Sequence, residues 1–132
     1  MATPRPCPFC DLPADRIVSE GPLVRVLRDA YPVSDGHTLI IPTRHITTYF
    51  DATSKEKAAM WEAVEAVKAE LDESHQPDGY NVGFNSGTAA GQTVMHAHIH
   101  VIPRYAGDMA DPRGGVRHAV AGKGVYEPEE EA

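Results

Sequence analysis

Residues 95–103 read MHAHIHVIP, with histidine at every second position and a proline at the end. That period fits a β-strand. Successive side chains of an extended chain point to opposite faces, so His96, His98 and His100 fall in one row and Ala97, Ile99 and Val101 in the other. The apolar row belongs against a core. The imidazole row is costly filling for a half-buried face, because each ring brings two nitrogens that need partners and a charge that changes near neutral pH. Rings on one face stand about 6.5 Å apart, which suits lining one phosphate-sized ligand better than direct bonding between neighbours. One histidine here would read as structural; three at period two read as a site.

The flanking pattern gives the row a sheet to sit in. Short β-rich stretches at 17–19, 23–27 and 37–41 are broken by Gly21, Pro22, Pro32 and Gly36, and two more at 80–85 and 95–102 enclose the small-residue loop SGTAAGQT. Between them, Met60, Val64, Val67 and Leu71 repeat at helical spacing with Trp61 extending the stripe, which predicts a helix over 54–75. Thr53 and Glu56 form a capping-box pair at its start, and Pro77 and Gly79 stop it. One helix set among strands, rather than alternating with each, implies an α+β fold with a mostly antiparallel sheet of about five strands and one long helix. At 132 residues the chain is the size of one domain, 1–132. Its core is expected over 7–104, followed by a Gly/Arg-rich loop region at 105–126 and a solvated acidic tail at 127–132.

Charge and composition exclude several classes. The net charge is −7, of which the terminal EPEEEA supplies four, leaving −3 for the remainder. That balance argues against a long nucleic acid polymer as partner while permitting a local anion pocket. No apolar run is long enough to cross a membrane, and the opening MATPRPCPFC lacks the features of a signal peptide, so the expected location is cytoplasmic. In a reducing compartment two cysteines spaced as in CPFC serve as metal ligands, act as redox thiols, or have no task at all. A redox motif should follow a strand and open a helix, and the prolines on both sides offer neither.

The chemistry of the row can be stated from imidazole alone. A neutral ring is an attacking nitrogen at pH 7 if its other nitrogen donates to a carbonyl or carboxylate. His98, the middle residue, has a histidine on each side to manage a phosphate's charge, and His100 can donate to a non-bridging oxygen as charge builds there.

The motif GQTVMHAHIHVIPR, with DGHTLIIPTRH and NVGFNSGTAAGQTV upstream in order, resembles the histidine triad (HIT) family, whose signature of His, apolar, His, apolar, His, apolar, apolar it matches in full. The resemblance implies a HIT-like fold, a homodimer with the sheet continued across subunits, and a purine nucleotide substrate. It assigns His98 as the nucleophile forming a covalent nucleotidyl intermediate, and His100 as the donor beside it. The backbone carbonyl of His96 would orient His98, and His37 would support the triad from behind. Asp29 corresponds to the ribose-binding acid, although the sequence alone favours a turn residue before AYP. Leu27 would line the base slot; Asn85, Gln92 and Thr93 would face the phosphate.

Zinc-bearing relatives further imply a metal held by Cys7, Cys10, His45 and His96; spacing alone would not select the two histidines. Four protein ligands close a zinc site, so the metal would be structural and no catalytic metal is required. The stretch DPRGGVRH is similar to an extension of bacterial members associated with dinucleoside polyphosphates. Arg113 and Arg117 could meet distal phosphates there, with Lys123 a weaker candidate. The expected activity is hydrolysis or transfer at the α-phosphate of a nucleotide conjugate. Dinucleoside polyphosphates such as diadenosine tetraphosphate lead, ahead of nucleoside phosphoramidates or acyl-adenylates, and a phosphorylase stays open. A nucleotide- or partner-binding module with incidental turnover, and a metalloenzyme using the row itself as ligands, are the readings from other classes.

Overall fold

The computed structural model describes residues 7–126; the acidic tail expected at 127–132 lies outside the described residues. Five strands, β1 (Ile17–Glu20), β2 (Val24–Arg28), β3 (Thr38–Pro42), β4 (Gly79–Gly83) and β5 (Ile99–Arg104), form one sheet in the order β1-β2-β3-β5-β4. Every neighbouring pair is antiparallel. Among the described residues a single long helix, α1 (Ser54–Ser74), bears out the expected α+β class.

The two faces of the sheet are set by parity along the strands. Val26, Ile40, Ile99 and Val101 point to one side and pack with Met60, Val67 and Leu71 of α1. Full burial of each such side chain stabilises by about 1.5–3 kcal/mol. Leu27, Leu39 and Ile41 point the other way and pack with Phe9 from the N-terminal segment. The same alternation puts His100 opposite Leu39, which in turn sits opposite Leu27, so one transverse row crosses β5, β3 and β2 on the face away from the helix.

The helix starts where its cap predicts. The Glu56 N–H donates to Thr53 Oγ1 at 3.1 Å and the Thr53 N–H to Glu56 Oε1 at 2.8 Å. Arg44 adds two bonds to the same carboxylate, at 2.8 and 3.1 Å. That guanidinium, helped by the Thr53 N–H, holds the Glu56 carboxyl down at about 2. The helix ends with His75 and Gln76 both donating to the Leu71 carbonyl, Gln76 at a φ of 50°. Trp61 does not extend the buried stripe: it is 40% exposed and donates its ring N–H to Tyr49 Oη.

The largest departure from the sequence reading lies at the histidines themselves. The strand expected over 95–102 is Ile99–Arg104, so His96 and His98 precede it on a bent segment and only His100 is in the ladder. The Ala97 N–H bonds to the Ile46 carbonyl instead of to a neighbouring strand. At the far end β5 runs through Pro103, because β3 pairs only with Ile99, His100 and Val101, and no β3 residue needs the missing N–H. Gly36 makes the tight entry to β3 at a φ of +92°, where a Cβ would also come within 3.1–3.2 Å of Leu71, His75 and Pro103.

Candidate functional site

The bend before β5 sends the histidines in different directions. His96 is fully buried, and its Nε2–H donates to the Pro42 carbonyl at 2.9 Å. Burial holds its pKa below the ordinary imidazole value, so the ring is neutral and Nδ1 keeps its lone pair. That lone pair faces the thiols of Cys7 and Cys10, at 3.4 and 3.6 Å. The His45 Nδ1 lies 3.1 Å from the Cys10 sulfur. Cys7, Cys10, His45 and His96 thus bring four ligand atoms within 4.8 Å of one another, an arrangement that could hold a metal ion. The cysteines sit in a turn followed only by the three-residue 3-10 segment Ala14–Arg16, so the helix that a redox pair would open is missing among the described residues.

His98 turns the opposite way, into a cavity of about 540 Å³. Its Nδ1–H donates to the His96 carbonyl at 2.8 Å; a carbonyl can only accept, which fixes the tautomer and leaves the Nε2 lone pair free. The ring lies with its centroid 5.0 Å from that of His100. His100 is fixed in its turn by a relay from the backbone. The Val33 N–H donates to His37 Nδ1 at 3.2 Å, so His37 carries its proton on Nε2 and donates it to His100 Nδ1 at 2.9 Å. His100 is thereby left with an Nε2–H to offer. Burial, followed by the neighbouring His98 and His37 rings, pushes the His100 pKa down to about 4, and burial also lowers that of His37. The pair is neutral at pH 7. Asp29, whose Oδ2 is 3.6 Å from His37 Nε2, works against the lowering at both rings.

The remaining expected residues are distributed unevenly. Asp29, Asn85, Gln92 and Thr93 all line the cavity with His98 and His100. The Asp29 Oδ1 accepts from the Tyr31 N–H, so the turn role and a cavity-facing carboxylate coexist. The Gln92 amide is occupied: Oε1 accepts from the Gly87 N–H, and Nε2 donates to the Thr47 and Val94 carbonyls, holding the loop rather than facing outward with free donors. Leu27 is fully buried one strand beyond Leu39 and does not line the cavity; Leu39, Phe9 and Val94 form the apolar wall. Arg113 pairs with Asp111 and Arg117 lies over the Tyr126 ring, and neither borders the cavity, nor does Lys123.

Phe9 and Arg16 are among the lining residues that had no role in the sequence reading. Phe9 sits inside CPFC, where only the cysteines drew attention; the available signal was a bulky apolar side chain between two ligands, which must point away from the metal side. Arg16 reaches the cavity by donating to the Arg28 carbonyl at 3.0 Å, a contact made by strand pairing that no local pattern announces. A second cavity of about 450 Å³ adjoins the first and shares Asn85 and His100 with it; among the described residues no Lys or Arg lines it.

Comparison with known proteins fits this geometry. Residues 13–107 match the HIT domain family. An uncharacterized HIT-like protein of Mycoplasma genitalium is 36% identical over 103 residues, covering 75% of this chain and 73% of the relative. AP-4-A phosphorylase of Mycobacterium tuberculosis is 34% identical over 107 residues, covering 76% of this chain and 55% of the phosphorylase. Among solved structures, a Zn-bound histidine triad family protein from Mycobacterium smegmatis superimposes with a TM-score of 0.71 at 35% identity, covering 80% of this chain and 79% of that one.

Proposed function

The chain belongs to the HIT domain family, and on that premise we propose that it transfers a nucleotidyl group from a purine nucleotide conjugate to water through a covalent adduct on His98. The observation that carries this reading is the His96 carbonyl on His98 Nδ1, which leaves Nε2 as the ring nitrogen without a protein partner among the described residues, in a nucleotide-sized cavity. That nitrogen attacks the α-phosphorus while the bond to the leaving group breaks and its electron pair departs with that group, which takes up a proton from solvent when it leaves as an amine. Charge gathering on the non-bridging oxygens is met by the His100 Nε2–H, held in line by His37. Asp29 accepts from the ribose hydroxyls, and Phe9, Leu39 and Val94 bound the base. Water then attacks the adduct, the P–N electron pair returns to His98, and a nucleoside monophosphate and a proton are released. Phosphate in place of water would yield a nucleoside diphosphate.

Similarity to AP-4-A phosphorylase supports dinucleoside polyphosphates as the substrate class. A leaving group without a phosphate chain, as in nucleoside phosphoramidates, is the second reading, and the adjoining cavity without a Lys or Arg favours it. Zinc suits the four-ligand cluster. Tetrahedral bonds of about 2.3 Å to sulfur and 2.0 Å to nitrogen put sulfur–nitrogen edges at about 3.5 Å. The distances of 3.1–3.6 Å between the thiols and the two Nδ1 atoms bracket that edge. Four protein ligands would leave no open position, so a metal held by Cys7, Cys10, His45 and His96 would tie the N-terminal segment to the sheet and supply positive charge to two thiolates. β4 ends the sheet, and Phe50, 65% exposed and packed on Phe84 just beyond it, adds apolar surface; this edge supports a homodimer with the sheet continued. Among the described residues no helix is long and apolar enough to cross a membrane.

The test is trapping. Incubation with a radiolabelled dinucleotide followed by quenching should yield an acid-labile adduct in the wild type and none in His98→Ala, whose turnover should fall to background. Wild-type turnover by His98→Ala would refute covalent catalysis through His98, and nucleotide binding without turnover by either protein would leave a binding module.

A further inference from the structure

Phe9 is placed by the metal cluster and touches the nucleophile. The turn at CPFC is closed by the N–H groups of Cys10 and Asp11 on the Cys7 carbonyl, each at 3.2 Å, and both flanking thiols face His96. With its neighbours drawn to that side, the Phe9 ring is driven to the other, where it is 7% exposed and packs with Leu27, Leu39 and Ile41. There it stands edge-on to two rings: His96 at 5.9 Å between centroids, and His98 at 5.1 Å with an interplanar angle of 80°. It also lines the cavity that holds His98. One side chain therefore meets a metal ligand, the attacking histidine and the nucleotide's space.

Resting on the function proposed above, we infer that metal binding and nucleotide binding are energetically coupled through Phe9, which acts as a positioning residue for His98. A metal would tie the two thiols, His45 and His96 to one atom; without that tie the segment carrying Phe9 is held by its turn bonds, the thiol–imidazole contacts of 3.1–3.6 Å and its apolar packing alone. The ring is then free to leave the wall of the cavity. A nucleotide that packs on Phe9 selects the conformation in which Cys7 and Cys10 face His96, so by linkage it tightens the metal by the same factor by which the metal tightens the nucleotide. The aromatic edge also restrains rotation of the His98 ring, which is otherwise held by the His96 carbonyl below it and the His100 ring beside it.

The experiment uses Co²⁺ as the metal probe, because its absorption reports a tetrahedral thiolate site directly, and adenosine 5′-monophosphate as the nucleotide. The Co²⁺ dissociation constant is measured by chelator competition with and without saturating nucleotide, on the wild type, Phe9→Tyr, Phe9→Leu and Phe9→Ala. The nucleotide should tighten Co²⁺ in the wild type by a factor within about 5- to 150-fold. The factor should persist in Phe9→Tyr, shrink in Phe9→Leu and fall to about one in Phe9→Ala, while all four keep the tetrahedral spectrum. A purely structural Phe9 would lower both affinities without changing the factor. Equal Co²⁺ affinity with and without nucleotide in the wild type, or an undiminished factor in Phe9→Ala, overturns the coupling while leaving the proposed reaction standing. Failure of the nucleotide to bind at all, in the presence of a normal Co²⁺ spectrum, overturns both.

Discussion

The His37 Nε2–H donates to His100 Nδ1 at 2.9 Å, and the direction of that bond is dictated by the Val33 N–H on the far side of the His37 ring. A main-chain donor thus decides, two rings away, which proton His100 presents to the cavity. His37→Leu removes the relay and should lower kcat about 10- to 100-fold with little change in KM, since it disturbs a group that acts on developing charge. His37→Gln, whose amide can donate toward His100, should recover part of the loss. Steady-state kinetics on the two variants decide the matter.

Burial that pushes the His100 pKa to about 4 makes the protein's stability depend on pH. Between about 4 and the ordinary value of 6.5 the unfolded chain binds the extra proton and the folded one does not, so stability is complete above 6.5 and declines as pH falls toward 4. His100→Gln should flatten that decline, by up to about 3 kcal/mol at the acid end. Urea unfolding of both proteins at pH 7, 6, 5 and 4.5 measures it.

Glu56 closes the capping box and receives Arg44, and it is buried at 4% exposure. Glu56→Ala should cost about 1–3 kcal/mol, visible as a fall of several degrees in Tm, with kcat unchanged because the residue is remote from the cavity. Its carboxyl pKa lies at about 2, so this contribution is complete above the ordinary value of 4.5 and is lost as pH falls through 2.

Metal removal should act on the fold before it acts on the chemistry. If the four-ligand cluster binds zinc, a metal concentration a thousandfold above Kd stabilises by about 4 kcal/mol, and a chelator should lower Tm accordingly. Cys10→Ser should show the lowered Tm without chelator and little further response to it. Differential scanning calorimetry with and without chelator makes the comparison, and an unchanged Tm in both would remove the structural metal.

Much of this architecture was legible because its signals are local. Thr53 and Glu56, Met60 through Leu71, and the turn at Gly21 and Pro22 all act within one or two turns of chain, and the helix and four of the five strands fall close to where those patterns put them. The alternation in MHAHIHV misled in one respect. A period of two describes side chains only where the chain is extended, and the Ile46 carbonyl draws Ala97 out of the ladder before β5 begins. The cavity wall was less legible still. Leu39 rather than Leu27 borders it because β3 lies next to β5 and β2 does not, a fact of strand order that no neighbouring residue records. Arg16 and Phe9 arrive there by long-range contacts.

The bend ahead of β5 divides the demands made on one short string of histidines. At position 96 the reacting side borrows only a peptide oxygen, which any amino acid owns, whereas the ring is committed to the two sulfurs. A lineage that discarded Cys7 and Cys10 would therefore be released from needing imidazole at this place, and substitution there would register as lost metal affinity long before lost turnover. Positions 98 and 100 enjoy no such freedom, because there the ring itself is the instrument.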